Sequence, residues 1–393
     1  MTPQTTKLGY LGLWGSGGTP LASQREYYGG DIPWLIIEDL NDGIVGRSAR
    51  NITFLGLESS SAKIVPPGTL LIAMYGSIGK LGITGISCAT NQAIAFCKCD
   101  PTKVDTKFLF FFLLHERTKL LRAGRGGTQQ NINQEYLKDY EIILPSLVKQ
   151  QQIARKIEQA QKLCRARRHA LQMCDEFLPA TFLDMFGDPQ RNPHRYPVEN
   201  LGSLLNHSPT LGTTVPCTQI GKYTCVRVGE IGNEEIDYTS CGRVDLSSAE
   251  LARYSVENGD ILLARAIGSV DHLGKLSLVK RNAHDAPVVH DSHVMRIRTN
   301  SAVLLPTYLA SMLRTPGGRA LFMRQARRTA VQFNVNSEQI EALNLPLPPL
   351  NQQHQFVADL AISRKLRAAQ AEALRQADHL FRTLLNEAFA TRQ

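Results

Sequence analysis

Between Lys149 and Phe186 the chain places mostly apolar residues at alternating steps of four and three: Ile153, Ile157, Ala160, Cys164, Arg167, Leu171, Cys174, Leu178, Thr181 and Met185. A mean step of about 3.5 residues keeps one stripe against a neighbouring helix in a left-handed supercoil, so the spacing predicts a coiled-coil seam. The seam recurs 203 positions further on as Phe356, Leu360, Ser363, Arg367, Gln370, Leu374, Ala377, Phe381, Leu384 and Ala388. The chain therefore carries both helices. Their apolar anchors are Ile153, Ile157, Leu171 and Leu178 in the first copy, and Phe356, Leu360, Leu374 and Phe381 in the second.

Geometry predicts how the copies pair. A helix of about 38 residues is ~57 Å long, whereas the ~160 residues between the two helices form a domain spanning only ~40 Å, with its ends close together. An antiparallel pair asks that domain merely to turn the chain round. It would leave two globular domains at opposite ends of a rod. Arg167, Arg367 and Gln370 weaken a plain two-helix zipper; they are expected to snorkel or to pair with acids such as Glu158 or Glu372, or instead to help dock another subunit.

Outside the helices the pattern shortens. Runs at 63–65, 69–73, 83–86 and 93–97, broken by Gly and Pro, predict strands, as does the stretch after Pro33; a helix is expected over 106–122, stopping at Gly124. The second half repeats the plan. Asn258, Gly259, Asp260, Ile261, Leu262 stands where Pro67, Gly68, Thr69, Leu70, Leu71 stands in the first half; Gly268, Ser269, Gly274 and Lys275 answer Gly76, Ser77, Gly79 and Lys80; and 291–297 aligns with 91–97. The expected class is α+β: two internally duplicated mixed α/β domains joined by two long helices in an antiparallel coiled coil. The boundaries are 1–148 and 188–348 for the domains, and 149–187 and 349–393 for the helices. Early strands of the second domain have no obvious match, since 222–228 lacks a counterpart to Ile32, Pro33, Trp34. Domains that diverge on helices that do not suggest two related reading heads on one frame.

Composition narrows the partners. A formal net charge of +9 is modest for 393 residues, compatible with a polyanion such as DNA but not decisive. The longest apolar run, 108–114, is far short of a membrane span and the N-terminus lacks a leader pattern, so a cytoplasmic protein with no membrane partner is expected. Eight cysteines at irregular spacing, without a Cys-x-x-Cys pair, suggest reduced thiols. His284, His290, Asp291 and His293 could be called a metal cluster, but the first domain has no His at matching places, so no metal is expected. The stretch Gly76, Ser77, Ile78, Gly79, Lys80 is two residues too short for a phosphate loop and reads as a hairpin turn. No nucleotide fingerprint, methyltransferase motif or nuclease carboxylate cluster stands out, and the chain is expected to be non-catalytic.

Asn133 and Asn336 are expected as helix N-caps, with Ile132 on Leu137 and Val335 on Ile340 as hydrophobic staples. The loops before them hold the candidate DNA contacts: Arg122, Arg125, Gln129, Gln130 and Asn131 in one copy, and Arg324, Arg327, Arg328, Gln332 and Asn334 in the other. Arginine suits phosphate or guanine, and Gln or Asn can pair with N6 and N7 of adenine. A solvated loop is the competing reading for any single one of them.

The whole arrangement resembles the specificity subunit of a type I restriction-modification system. The residues that carry the resemblance are Gly17, Gly18, Thr19, Pro20; the stretch from Tyr27 to Trp34; and two segments running from Gln-x-Asn through Leu-Pro into helix starts at Gln150, Gln151, Gln152 and Gln352, Gln353. That resemblance implies two target recognition domains, each reading half of a bipartite double-stranded DNA target. It also implies helices that set the spacing and dock two methyltransferase (modification) subunits, with restriction subunits as further partners. S-adenosylmethionine, Mg and ATP would sit on those partners, and this chain would hold no cofactor. Heads some 50–60 Å apart would span roughly 15 base pairs of DNA. The alternative is a DNA-modifying enzyme fragment or a non-specific coiled-coil adaptor.

Overall fold

The computed structural model describes residues 4–124, 131–232, 235–267, 273–281, 286–325, 327–328 and 333–390. They fall into two units, one formed by 1–168 with 372–393 and one by 169–371.

In the first unit β1 (Gln4–Lys7) leads through a 3-10 turn to β2 (Gly12–Ser16), β3 (Tyr28–Leu35), β4 (Gly43–Val45), β5 (Asn51–Ile52) and the short α1 (Phe54–Glu58). After these come β6 (Leu70–Ala73), β7 (Leu81–Thr84), β8 (Ala89–Thr90) and β9 (Ile94–Cys99). Five of the strands make one sheet in the order β2-β9-β6-β7-β4, and β3 sits between β5 and β8 in a second. Every residue of β6 is buried, because the sheet is covered on both faces. Leu70, Ile72, Ala95 and Cys97 face α2 (Thr106–Ala123) and its Phe108, Leu109, Phe111 and Phe112. Leu71, Ala73, Ile94 and Phe96 face the other way, into a core with Leu35, Val65 and Cys88. The expected strand at 63–65 is only an isolated bridge from Val65 to Cys88. Pro33 lies inside β3, not ahead of it, since the N–H it lacks is not needed while Trp34 N–H bonds Arg50 O. Helix α2 starts where Asp105 accepts from Phe108 N–H at 2.9 Å. Then α3 (Gln134–Asp139), capped by Asn133 with Ile132 and Leu137 in the core, leads to β10 (Glu141–Leu144), which pairs with β1, and to α4 (Leu147–Phe186).

The second unit runs β11 (Val198–Asn200), β12 (Leu205–Leu211), β13 (Tyr223–Val226), β14 (Gly242–Val244), α5 (Ser248–Tyr254), β15 (Ile261–Ala264), β16 (Ala266–Ile267), β17 (Leu276–Leu278), β18 (Val288–His290) and β19 (Val294–Thr299). It continues with α6 (Pro306–Arg314), α7 (Pro316–Met323), β20 (Arg327–Arg328), β21 (Phe333–Asn334), α8 (Ser337–Glu341), β22 (Asn344–Pro346) and α9 (Leu350–Phe389). Its main sheet, β12-β19-β15-β17, keeps the register of the first: Ile261 opposite Ile297 repeats Leu70 opposite Cys97. Asn336 caps α8 in a capping box, with Val335 and Ile340 both buried.

The structure supplies the match that the opening of the second domain hides. Leu8 N–H bonds Tyr140 O at 2.9 Å and Leu201 N–H bonds Leu343 O at 2.8 Å, so the turns Leu8–Leu11 and Leu201–Leu204 are equivalent. Trp34 and Leu35 run parallel to Ala89 and Thr90 as Cys225 and Val226 run parallel to Val289 and His290. Cys225 thus stands where the first unit has Trp34. There the indole N–H bonds Gly18 O at 3.0 Å and Tyr28 OH bonds Pro20 O at 2.6 Å, tying the first loop down. In the second unit Cys225 is instead disulfide-bonded to Cys217. The expectation of reduced thiols throughout fails at this pair, because folding brings together two cysteines whose spacing in the sequence matches no familiar motif.

The two long helices pair antiparallel in both units. In the first, Ile153, Ala154 and Ile157 near the start of α4 pack with Phe381, Leu384, Leu385 and Ala388 near the end of α9. In the second, Phe182 and Phe186 near the end of α4 pack with Phe356 and Leu360 near the start of α9. Leu171, Leu374 and Phe381 are half-buried, and the Leu178 side chain lies outside the described residues. Toward the end of α4 the buried stripe is Phe182 and Phe186, one residue past Thr181 and Met185, which are half-buried. A straight helix of 3.6 residues per turn drifts ~20° per heptad from a strict 3.5 repeat, and over this length the drift reaches the next position. Arg367 pairs with Asp175, while Glu158 holds Lys107 and Lys162 and Glu372 holds Arg375.

Each helix is fastened to its domain by one buried glutamine. Gln150 Oε1 accepts from Asp105 N–H at 2.9 Å, and its Nε2 donates to Lys103 O at 3.2 Å and Pro145 O at 2.9 Å. Gln353 does the same with Leu305 N–H at 2.8 Å and with Val303 O and Pro348 O, both at 3.0 Å. A neutral amide offers both polarities at one point, which neither an acid nor an amine can.

Candidate nucleic-acid interface

In the first unit Ser16 lies opposite Ala95, Ala73 opposite Ile94, and Ile72 opposite Leu81. The ends of β2 and β6 and the beginnings of β7 and β9 therefore meet at one sheet edge, where the chain leaves in loops. Tyr75 bridges to Asn131 there, and Ile132 N–H bonds Met74 O at 2.9 Å. The second unit builds the same edge: Leu211 lies opposite Met295, Ala264 opposite Val294, Ala266 opposite Asn334, and Val335 N–H bonds Arg265 O at 3.0 Å. Loops fixed at their roots by a sheet are where fold families carry recognition.

The sequence candidates fall partly on this edge. Arg122 is exposed in the last turn of α2, Asn131 is exposed beside Tyr75, and Arg324 is exposed just past α7. Asn334 is half-buried in β21, which pairs on its other side with Arg327 and Arg328 of β20. Nothing further is described of the Arg327 and Arg328 side chains, and Arg125, Gln129, Gln130 and Gln332 lie outside the described residues, as do His284, Gly268 and Ser269.

The stretch 76–80 makes the tight connection of β6 to β7, with Ala73 N–H on Lys80 O and Gly79 N–H on Ala73 O, both at 2.9 Å, and with Gly76 and Gly79 at positive φ. Ala264 N–H on Lys275 O and Gly274 N–H on Ala264 O repeat it. The Lys80 ammonium donates to Ile37 O at 3.1 Å, so its charge serves the fold. Arg117 donates to Gly79 O at 2.8 Å and pairs with Asp42, holding the hairpin from the α2 side.

Residues that the sequence did not mark as DNA contacts also stand here. Thr19 and Gln92 hydrogen-bond each other at the mouth of the first loop. In the second unit Arg265 Nε donates to Ser292 O at 2.9 Å, and His293 is exposed 3.5 Å from Asp291. Thr19 is marked only by its place beside Gly17, and Gln92 and His293 by theirs within 91–93 and 291–293, while no sequence signal marks Arg265. Burial raises the Tyr75 phenol and the Asp291 carboxyl above their usual pKa.

His290 lies just beneath the edge, fully buried, with its ring nitrogens 3.0 Å from Tyr254 O and 3.1 Å from Thr210 O. Burial is the main force lowering its pKa, to about 4. Because the folded value lies below the unfolded one, the neutral ring stabilises the fold above pH ~6.5, and that stability is lost as pH falls toward 4. The loss amounts to roughly 3 kcal/mol when complete. Thermal unfolding followed from pH 7 to pH 4 should show it, and a His290→Gln chain should have the flatter profile. Among the described residues no three His, Cys, Asp or Glu side chains converge as a metal site would, and no helix is long and apolar enough to cross a membrane.

A sheet edge is thus built twice from one plan, with unlike side chains on the two copies. Residues 4–171 match the family described as type I restriction modification DNA specificity domain. It is 24% identical over 359 residues to the StySPI specificity subunit of Salmonella potsdam, covering 85% of this chain and 76% of that one. To the MjaIX specificity subunit of Methanocaldococcus jannaschii it is 27% identical over 218 residues, 51% of this chain and 50% of the relative. The match to the MjaX protein of the same organism, 31% over 140 residues, spans 35% of this chain and 32% of the relative, so these two similarities cover half or less of the relatives' length. The fold is also that of the S subunit of a type I system from M. genitalium, with a TM-score of 0.57 at 14% identity over the whole of both chains.

Proposed function

We propose that the chain is the non-catalytic DNA-recognition subunit of a type I restriction-modification complex, each unit reading one half of a bipartite double-stranded target. The observation that carries this reading is the paired sheet edge, rooted by the same hydrogen bonds in both units but lined by different residues. Arg122, Arg125, Gln129, Gln130 and Asn131 would serve one half-site, and Arg324, Arg327, Arg328, Gln332 and Asn334 the other. The helices set the interval and dock two methyltransferase subunits, and restriction subunits join as further partners. The apolar residues that the second unit leaves on its helices, Met173, Phe177, Ile362 and Leu366, are between 53% and 66% exposed and suit that docking. S-adenosylmethionine, Mg and ATP belong on those partners.

The test is footprinting of the assembled complex with single-arginine variants. Arg122→Ala and Arg324→Ala should each weaken protection on one half-site, by roughly tenfold in affinity, and leave the other unchanged. If the arginine holds a phosphate, the salt slope of log K should shrink by about one. Equal loss on both sides would contradict two independent heads.

A further inference from the structure

The loop at 214–222 of the second unit is held with unusual care for a surface segment. Its entry is fixed at Gly212, where a Cβ would come within 2.0 Å of His290 O, and Thr213 N–H bonds that same carbonyl at 2.9 Å. Midway, Thr218 exchanges both backbone hydrogen bonds with Arg243, at 2.8 and 2.7 Å. The Arg243 guanidinium then reaches round the turn, Nε to Gly221 O at 2.6 Å and Nη2 to Lys222 O at 2.9 Å. Cys217 is bonded to Cys225 beneath it, and Lys222 N–H bonds Asp245 at 2.8 Å. Yet the tip makes little use of this. Gln219 is exposed, and Ile220 is 86% exposed, more than any other large hydrophobic among the described residues.

A backbone tied this firmly around an apolar side chain in water is preorganised for something that covers that side chain. The equivalent loop of the first unit is built alike, tied by Trp34 and Tyr28 and carrying Leu21 at 63% exposure. Both loops leave the sheet edge assigned to DNA above.

Deepening that reading, and resting on it, we infer that Gln219 and Ile220 read an adenine–thymine pair in the major groove within the half-site of the second unit. The Gln219 amide has the donor and acceptor that match adenine N7 and N6, and the Ile220 side chain suits the thymine methyl, a group no other base carries. Arg243 is a positioning residue: it touches the loop backbone and sets where the two tips point. Lys222, with its ammonium 5.3 Å over the Tyr223 ring, stands beside them as a phosphate contact.

The experiment uses the full chain assembled with its methyltransferase subunits, and competitor duplexes in which each target base pair is replaced in turn. Gln219→Ala and Ile220→Ala should each flatten the preference at one A·T pair by about tenfold, leaving the profile at other positions as it was. Arg243→Ala should flatten the same pair and Arg243→Lys should restore only part of it, since an ammonium cannot span both carbonyls. A purely structural arginine would instead lower affinity evenly across all duplexes. Variants that retain the unaltered base profile, or lose preference at a G·C pair, overturn the inference and leave the half-site reading standing. A parent complex with no base preference anywhere overturns the half-site reading itself.

Discussion

A Gln353→Leu chain should lose roughly 3 kcal/mol or more of the stability of its second unit, a large effect for one exposed-sounding polar residue at a helix start. The side chain is fully buried, and its removal leaves Leu305 N–H, Val303 O and Pro348 O facing an apolar group. Each buried polar group left unpaired costs about 1–3 kcal/mol. Gln353→Glu should be no better, because it keeps an acceptor for Leu305 N–H but aims a second oxygen at two carbonyls. Gln150→Leu should act on the first unit in the same way. Denaturant unfolding should report a fall in midpoint with little change in slope for the transition concerned. A variant of either glutamine with the parent midpoint would show that the shared bonding pattern does not fasten helix to domain.

Phe356→Ala should cost about 3–5 kcal/mol, among the largest single losses available to this fold. Its ring is fully buried, 5.5 Å from both Phe182 and Phe186, while Tyr308 lies 5.4 and 5.0 Å from those two and donates to Pro346 O at 3.0 Å. Four aromatic side chains thus join the end of α4, the start of α9 and the domain between them. Removing one opens a cavity that three rigid neighbours cannot fill. The same measurement checks the drift of the seam: Phe186→Ala should cost more than Met185→Ala, and Ile362→Ala, in an exposed position, should stay within about 0.5 kcal/mol of the parent. Equal losses at 185 and 186 would restore the strict 3.5-residue stripe.

The helix frame was legible because it follows a repeat, and one offset carries Asn133 to Asn336, Ile132 to Val335 and Gln150 to Gln353. The caps and staples at these positions form as their residue types predict. The opening of the second domain was not legible because its matches are made by backbone hydrogen bonds: Leu8 with Leu201 and Trp34 with Cys225 share geometry, and the second pair shares no chemistry. The glutamines were visible as letters of a motif, but their role depends on carbonyls at 103 and 303 that only folding brings near. The recognition loops are the least readable part. A loop pinned by a sheet edge is free to change its side chains, so neither period nor composition marks Gln219 or Ile220, and their exposure is the first sign of them.

The most direct test of two heads on one frame is selection of bound duplexes from a random-sequence pool by the assembled complex. Two clusters of specified base pairs separated by an unread gap of fixed length are expected, and replacing 205–342 with the corresponding segment of a relative should change one cluster only. A single contiguous site, or a replacement that alters both clusters together, would contradict the account.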